Sequence, residues 1–143
     1  VFLGEFEHSV DEKGRVAVPA RFREELAEGI ILTRGFERCL QAFPRPTWER
    51  LRERVSGLSL GSEESRQLRR LLFSGAADVE VDRQGRILIP QNLREYAGLG
   101  EQVVLAGMDT FFEVWSSERW RTVLDTLDSQ GSAIAQQLSA LGM

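Results

Sequence analysis

Two short clusters in this chain place a carboxylate, a glycine and an arginine in the same order: Asp11-Glu12-Lys13-Gly14-Arg15 and Asp82-Arg83-Gln84-Gly85-Arg86. An aspartate four residues before an arginine can hold its guanidinium in place. A guanidinium held in this way can bind O6 and N7 of guanine through a two-pronged fork. The intervening glycine supplies the positive φ that a tight turn requires. Both clusters sit in ten-residue units, Val10–Pro19 and Val81–Pro90, which repeat at an offset of 71. Asp, Gly, Arg and Pro recur unchanged, and the Val/Ile positions stay apolar.

Other chemistry has little to work with. The chain has no phosphate-binding Walker loop, Gly-rich dinucleotide fingerprint, His/Cys cluster or nucleophile elbow. No catalytic residue, metal or cofactor is therefore expected. His8 is the only histidine, and its repeat partner is Val79 on an apolar face, which marks it as a residue at the edge of a core. Glu7 should point to the opposite face, so the pair does not make a metal site. Cys39 is alone, which excludes an intrachain disulfide and a cysteine zinc site.

The elements that must position the two clusters follow from pattern. Phe6, His8 and Val10 alternate with Glu5, Glu7 and Ser9, as a half-buried strand does. The Asp11–Gly14 turn should return the chain as a second strand, with Val16 and Val18 on one face and Arg15 and Ala17 on the other. Pro19 stops the ladder because it has no N–H. Ala20–Ala27 reads as a short helix ended by Gly29. Ile30–Thr33 and Leu40–Phe43 read as strands, and Trp48, Leu51 and Val55 as an amphipathic helix. Leu68, Leu71 and Leu72 mark a further helix joining the repeats. The order then recurs, with one residue inserted, through to the helix of Trp120, Val123, Leu124 and Leu127. The expected organisation is a first repeat over 1–56, a linker helix within 57–75, a second repeat over 76–127 and a tail over 128–143. The tail is either one more helix or loose chain. Each half has about 70 residues, where a lone core is marginal, so two similar halves gain by sharing one.

The net charge of -4 argues against a general polyanion binder. Residues 1–75 hold 13 basic against 12 acidic residues, and residues 76–143 hold 5 against 10. Nucleic-acid binding would therefore need a local basic patch. Lys13 is the only lysine, so nearly all the positive charge is arginine. Arg50, Arg52 and Arg54 interleave with Glu49 and Glu53 as a solvated helix face does, and Arg66, Arg69 and Arg70 read the same way. Trp48 and Trp120 occupy matching positions and read as core anchors. No apolar run approaches the roughly 20 residues of a membrane span, and the N-terminus lacks the features of a signal peptide. The expected location is the cytoplasm.

Two readings of the doubled cluster are compatible. The first is a hairpin tip closed by an Asp–Arg pair. The second starts from the exposed face. Arg15 and Arg86 lie opposite the core-facing Val16/Val18 and Ile87/Ile89, each beside a further base, Lys13 or Arg83. A two-stranded ribbon can enter the major groove of DNA and present such arginines to base edges. Two hairpins related by a pseudo-twofold could address two nearby elements.

At the doubled Asp-x-x-Gly-Arg the chain resembles the MraZ family of bacterial transcriptional regulators. The resemblance also rests on Phe2-Leu3-Gly4-Glu5-Phe6, Pro19-Ala20-Arg21-Phe22-Arg23, Ile89-Pro90 and Leu93-Arg94-Glu95-Tyr96-Ala97, and it runs from residue 2 to about 125. It implies an α+β fold of tandem AbrB/MazE-like repeats forming a swapped-hairpin β-barrel flanked by short helices. It implies a ring-shaped homo-oligomer that binds double-stranded DNA at short G-rich direct repeats in the promoter of the division and cell-wall gene cluster, usually as a repressor. The protein would then be nucleoid-associated. The family's DNA-contact motif falls on Asp11, Gly14, Arg15, Asp82, Gly85 and Arg86. On this basis Arg15 and Arg86 are expected to read bases or phosphates, Lys13, Arg83 and Arg21 to contact phosphate, and Gly14 and Gly85 to shape the tips. The rival reading is an antitoxin-like module that grips another protein with the same fold. Such antitoxins carry one unit and a disordered tail, whereas here the unit is doubled.

Overall fold

Alternation of apolar and polar residues builds β1 (Glu5–Ser9), in which Phe6 and His8 are half-buried while Glu5, Glu7 and Ser9 face solvent. The computed structural model describes residues 1–143. β2 (Arg15–Ala17) follows the first Asp-Gly turn. α1 (Ala20–Arg23) is shorter than the helix expected to reach Ala27, because the backbone tightens into a 3-10 turn over Glu24–Leu26. β3 (Ile30–Arg34) and β4 (Leu40–Pro44) form an antiparallel pair. α2 (Arg45–Ser56) has a proline in its first turn, where the missing N–H costs nothing. α3 (Glu63–Phe73) is capped by Ser62, whose Oγ accepts from Ser65 N.

The second repeat runs through β5 (Ala77–Val79), β6 (Arg86–Leu88), α4 (Gln91–Ala97), β7 (Gln102–Gly107), β8 (Phe112–Ser116) and α5 (Ser117–Ser129). The tail forms α6 (Gly131–Ala140), the helical one of the two outcomes open to it. The fold is α+β, with six helices and antiparallel strands.

The repeats exchange strands. Six strands form one sheet in the order β1-β7-β8-β4-β3-β5, and β2 and β6 form a separate two-stranded ribbon. β1 from the first repeat pairs with β7 from the second, from Glu5↔Ala106 to Ser9↔Gln102. β5 from the second repeat pairs with β3 from the first, from Ile30↔Val79 to Leu32↔Ala77. Neither repeat completes its sheet alone. The larger ladder ends at β1 and β5 without closing on itself, so the expected barrel goes further than these ladders do.

The main core lies under the ribbon and draws on both repeats. Val16, Val18, Ile87 and Ile89 point inward and are at most 1% exposed. They pack with Phe2, Phe22 and Phe112, whose rings lie 5.0–5.6 Å apart, and with Leu93, Leu105 and Val114. The Phe2–Phe22 pair is edge-to-face, which suits the ring quadrupoles, and Phe112 is tilted against both. This is the shared core that the length of each half calls for. On the other sheet face, Trp48 joins Ile31, Phe43, Val55 and Leu72 in a second cluster. Trp120 packs against a third cluster, with its ring 6.0 Å from that of Trp115. His8 lies opposite Val103 in the β1–β7 ladder, at the core edge.

Arg66 and Arg69 correct the expectation of a solvated face. Arg66 donates to Leu60 O at 2.8 Å, and Arg69 donates to Ser56 O at 2.8 Å and Leu58 O at 3.2 Å. They hold the α2–α3 connection by its carbonyl groups, which have no partner within the connection itself. No helix is long and apolar enough to cross a membrane.

Candidate nucleic-acid interface

Each Asp-x-x-Gly-Arg cluster folds into the same closed turn. Asp11 N donates to Arg15 O and Gly14 N donates to Asp11 O; the equivalents are Asp82 N to Arg86 O and Gly85 N to Asp82 O. Gly14 and Gly85 adopt φ of +90° and +77°, a region that L side chains disfavour. One carboxylate oxygen of each aspartate caps the turn. Asp11 Oδ1 accepts from Lys13 N and Arg15 N, both at 2.9 Å. Asp82 Oδ1 accepts from Gln84 N at 2.8 Å and Arg86 N at 2.9 Å. The second oxygen takes the arginine side chain, with Arg15 Nε 2.9 Å from Asp11 Oδ2 and Arg86 Nε 3.2 Å from Asp82 Oδ2. The backbone amides of Arg15 and Arg86 are the leading cause that holds each carboxyl below the ordinary aspartate value.

The arginines do not stand on two separate hairpins. β1 and β2 meet only through the Val10↔Val16 bridge. The ribbon consists of β2 and β6, one strand from each repeat, in the register Arg15↔Leu88, Val16↔Ile87 and Ala17↔Arg86. A local twofold therefore passes through the Val16↔Ile87 pair. Gly14 O accepts from Ile89 N at 2.9 Å, and Gly85 O accepts from Val18 N at 2.8 Å, so each turn is clasped by the other repeat. The outer face of the ribbon carries Arg15, Ala17, Arg86 and Leu88. Arg15 and Arg86 stand diagonally across it, a separation of roughly 7–8 Å between backbone positions. That is about two base steps of duplex DNA.

The structure brings Asp11, Gly14, Arg15, Asp82, Gly85 and Arg86 together and places Lys13 and Arg83 exposed on the two turns. Arg21 is exposed on α1 and makes no hydrogen bond or ion pair; its repeat partner is Asn92, so the second half has no counterpart.

Two arginines belong to the site without having been expected there. Arg94 packs on Gly14, where an added Cβ would lie 2.7 Å from its Cζ. Arg23 packs on Gly85, where an added Cβ would lie 2.5 Å from its Nη1. Each belongs to the repeat opposite its glycine. Arg23 Nε donates to Val18 O at 3.0 Å, whereas Arg94 Nε is buried without a partner. The signal available in the sequence was their shared position, four residues after Pro19 and Pro90. The turns and these packed side chains gather six bases, Lys13, Arg15, Arg23, Arg83, Arg86 and Arg94, against three carboxylates, Asp11, Glu12 and Asp82. This is a local positive surplus in a chain of net charge -4.

The arrangement leaves donors available. Each guanidinium is anchored through Nε, and neither Nη of Arg15 has a protein partner. Its side chain is 32% exposed and that of Arg86 is 28% exposed. An arginine fixed through Nε can present both Nη groups end-on to two acceptors.

The model of a family described as "MraZ protein, putative antitoxin-like" matches residues 1–71 and again residues 72–141. Among similar proteins, the transcriptional regulator MraZ of Roseiflexus castenholzii is 60% identical over 141 residues, covering 99% of both chains. That of Roseiflexus sp. strain RS-1 is 58% identical over the same length and coverage. That of Herpetosiphon aurantiacus is 52% identical over 143 residues and covers both chains completely.

Proposed function

The chain belongs to the MraZ family, and on that premise we propose that it is a sequence-specific DNA-binding regulator of transcription. The observation that carries the reading is the β2–β6 ribbon, with Arg15 and Arg86 each fixed by an aspartate on its outer face. Arg15 and Arg86 read base edges in the major groove, while Lys13, Arg83 and, further out, Arg21 contact phosphate. Asp11 and Asp82 aim the arginines, and Gly14 and Gly85 shape the turns. The relatives are named as regulators, and no enzymatic step is assigned to this chain.

The finer parts of the reading rest on the family resemblance. They are short G-rich direct repeats in the promoter of the division and cell-wall gene cluster, repression as the outcome, and nucleoid association. We read the open sheet and the ribbon as one swapped-hairpin barrel of two AbrB/MazE-like units, over 1–56 and 76–127, joined by the linker containing α3. A ring-shaped homo-oligomer would multiply weak ribbons by effective concentration. Exposed apolar side chains support self-association: Phe36, Leu58 and Leu60 near α3, Leu124, Leu127, Ile134 and Leu138 on the last two helices, and Leu141 just after them.

The antitoxin-like description of the family favours a second reading, a module that grips another protein. Nuclease protection of the chain's own upstream DNA separates the two. A regulator protects regularly spaced short segments there, more weakly as salt rises. Uniform or absent protection would remove the DNA reading and leave the protein-binding one.

A further inference from the structure

The outer face of the ribbon carries one side chain that its polar surroundings do not explain. Leu88 is 52% exposed, between arginines, while the inward residues beside it, Ile87 and Ile89, are fully buried. Its repeat partner is Ala17, so the feature is present on one side of the local twofold only. Leu88 lies directly opposite Arg15. The backbone bonds Gly14–Ile89 and Gly85–Val18 mark hydrogen-bonded pairs on either side, so by alternation Arg15↔Leu88 is a non-hydrogen-bonded pair. Such pairs bring the two backbones to about 4.5 Å and their side chains closest together.

We infer that Leu88 is a specificity residue that packs on the 5-methyl group of a thymine next to the guanine held by Arg15. The inference rests on the DNA-reading role proposed above and names what that site prefers. Successive base pairs stand about 3.4 Å apart, so a side chain beside Arg15 falls over the neighbouring pair. In the major groove the thymine methyl is the one apolar group that projects from the base edges; the cytosine C5–H and purine C8–H are smaller, and the remaining groups donate or accept hydrogen bonds. Leu88 can answer none of those groups. A cytosine or adenine amino group pressed against it would lose water without gaining a partner. On the other rung, Ala17 beside Arg86 offers a single carbon and reaches less far. The bound site is therefore read unequally, with a methyl requirement on the Arg15 side.

Replacing thymine by uracil removes that methyl group and nothing else. The full chain is titrated by fluorescence anisotropy against the upstream duplex it protects and against versions with each thymine in turn replaced by uracil. A shuffled duplex serves as the reference. At one thymine, uracil weakens binding about fourfold, the worth of one buried methyl. Leu88→Ala binds the thymine and uracil duplexes equally, and it keeps its circular dichroism and melting temperature because the side chain is exposed. Insensitivity to uracil at every thymine, or uracil discrimination that survives Leu88→Ala, overturns the assignment of Leu88. If the wild-type chain does not prefer its upstream duplex to the shuffled one, the DNA-reading role falls as well.

Discussion

The two turns have the same backbone and different surroundings. In the first, Asp11 faces two guanidinium groups: Arg15 Nε at 2.9 Å and, across the ribbon, Arg86 Nη1 at 3.8 Å. In the second, Asp82 holds Arg86 alone, at 3.2 Å. Arg15 therefore keeps both Nη groups unpartnered, while one Nη of Arg86 is drawn toward Asp11. Glu12 lowers the charge of the first tip, whereas its counterpart Arg83 raises that of the second. Leu88 lies beside Arg15, and Ala17 beside Arg86. The two copies keep the Asp, Gly and Arg that build the turn and differ in the side chains around each arginine. The more acidic half of the chain thus carries the more basic tip, which shows why net charge per half is a poor guide to where basic side chains gather.

Removing one arginine at a time breaks this comparison most strongly. Each loss should cost roughly 1–3 kcal/mol of discrimination against wrong bases, the range for a bidentate contact. Arg15→Ala should cost more than Arg86→Ala, because Arg15 has both Nη groups available. Competition binding with single-base variants measures this, and equal losses would make the asymmetry at Asp11 irrelevant to reading.

The glycines come next. Gly14→Ala and Gly85→Ala place a Cβ in a left-handed conformation, at a cost of about 1–2 kcal/mol, and both displace a packed guanidinium. Gly85→Ala should lower the melting temperature more, since Arg23 gives up its bond to Val18 O while Arg94 Nε has no bond to lose. The reverse order would mean that the more positive φ of Gly14 decides the cost.

Asp11→Asn should weaken specific binding more than Asp82→Asn, because Asp11 faces both arginines. Acid titration sharpens the point. Both carboxyls are held below their ordinary value of 3.8. A depressed value in the folded chain gives a stabilising contribution that is complete above the ordinary value and lost as pH falls through the lowered one. Melting temperature should thus be insensitive to these two groups above about pH 5 and fall with acid below 3.8. Asp11→Asn and Asp82→Asn should each shrink that acid-side fall.

The smallest effects belong to the exposed bases. Lys13→Ala and Arg83→Ala should weaken binding to all sequences alike and reduce the salt slope by about 1 each. Arg21→Ala should change it less, since nothing in the fold holds Arg21 toward the ribbon. Anisotropy titrations over a salt series read all three.

Local pattern made much of this legible. Strict alternation around Phe6 and His8 marks β1, and Asp followed by Gly marks both turns. The inward Val16/Val18 and Ile87/Ile89 follow from period two alone. The Asp–Arg pairs also follow from spacing, because residues four apart across so tight a turn meet. What stayed hidden depends on partners far apart in the chain. Alternation shows which face of a strand is buried but not which strand lies beside it. The β2–β6 pairing therefore appeared only in the structure, and with it the single ribbon in place of two hairpins. Arg23 and Arg94 carry no local signal for the same reason, since each packs on a glycine 62 or 80 positions away, and Leu88 beside Arg15 is likewise a fact of register. The first helix is shorter than the pattern suggests because the chain tightens into a 3-10 turn over Glu24–Leu26, which still buries both Phe22 and Leu26.

The central claim is that the paired arginines of the ribbon read DNA sequence. Its most direct test is the double variant Arg15→Ala with Arg86→Ala, competed between its own upstream duplex and a shuffled duplex of equal length, with circular dichroism and sedimentation alongside. The predicted result is an unchanged fold and assembly, residual salt-sensitive binding, and no preference between the duplexes. A double variant that is folded and still prefers its own upstream duplex would place the reading surface elsewhere, and one that unfolds would show that the Asp–Arg pairs serve the fold instead.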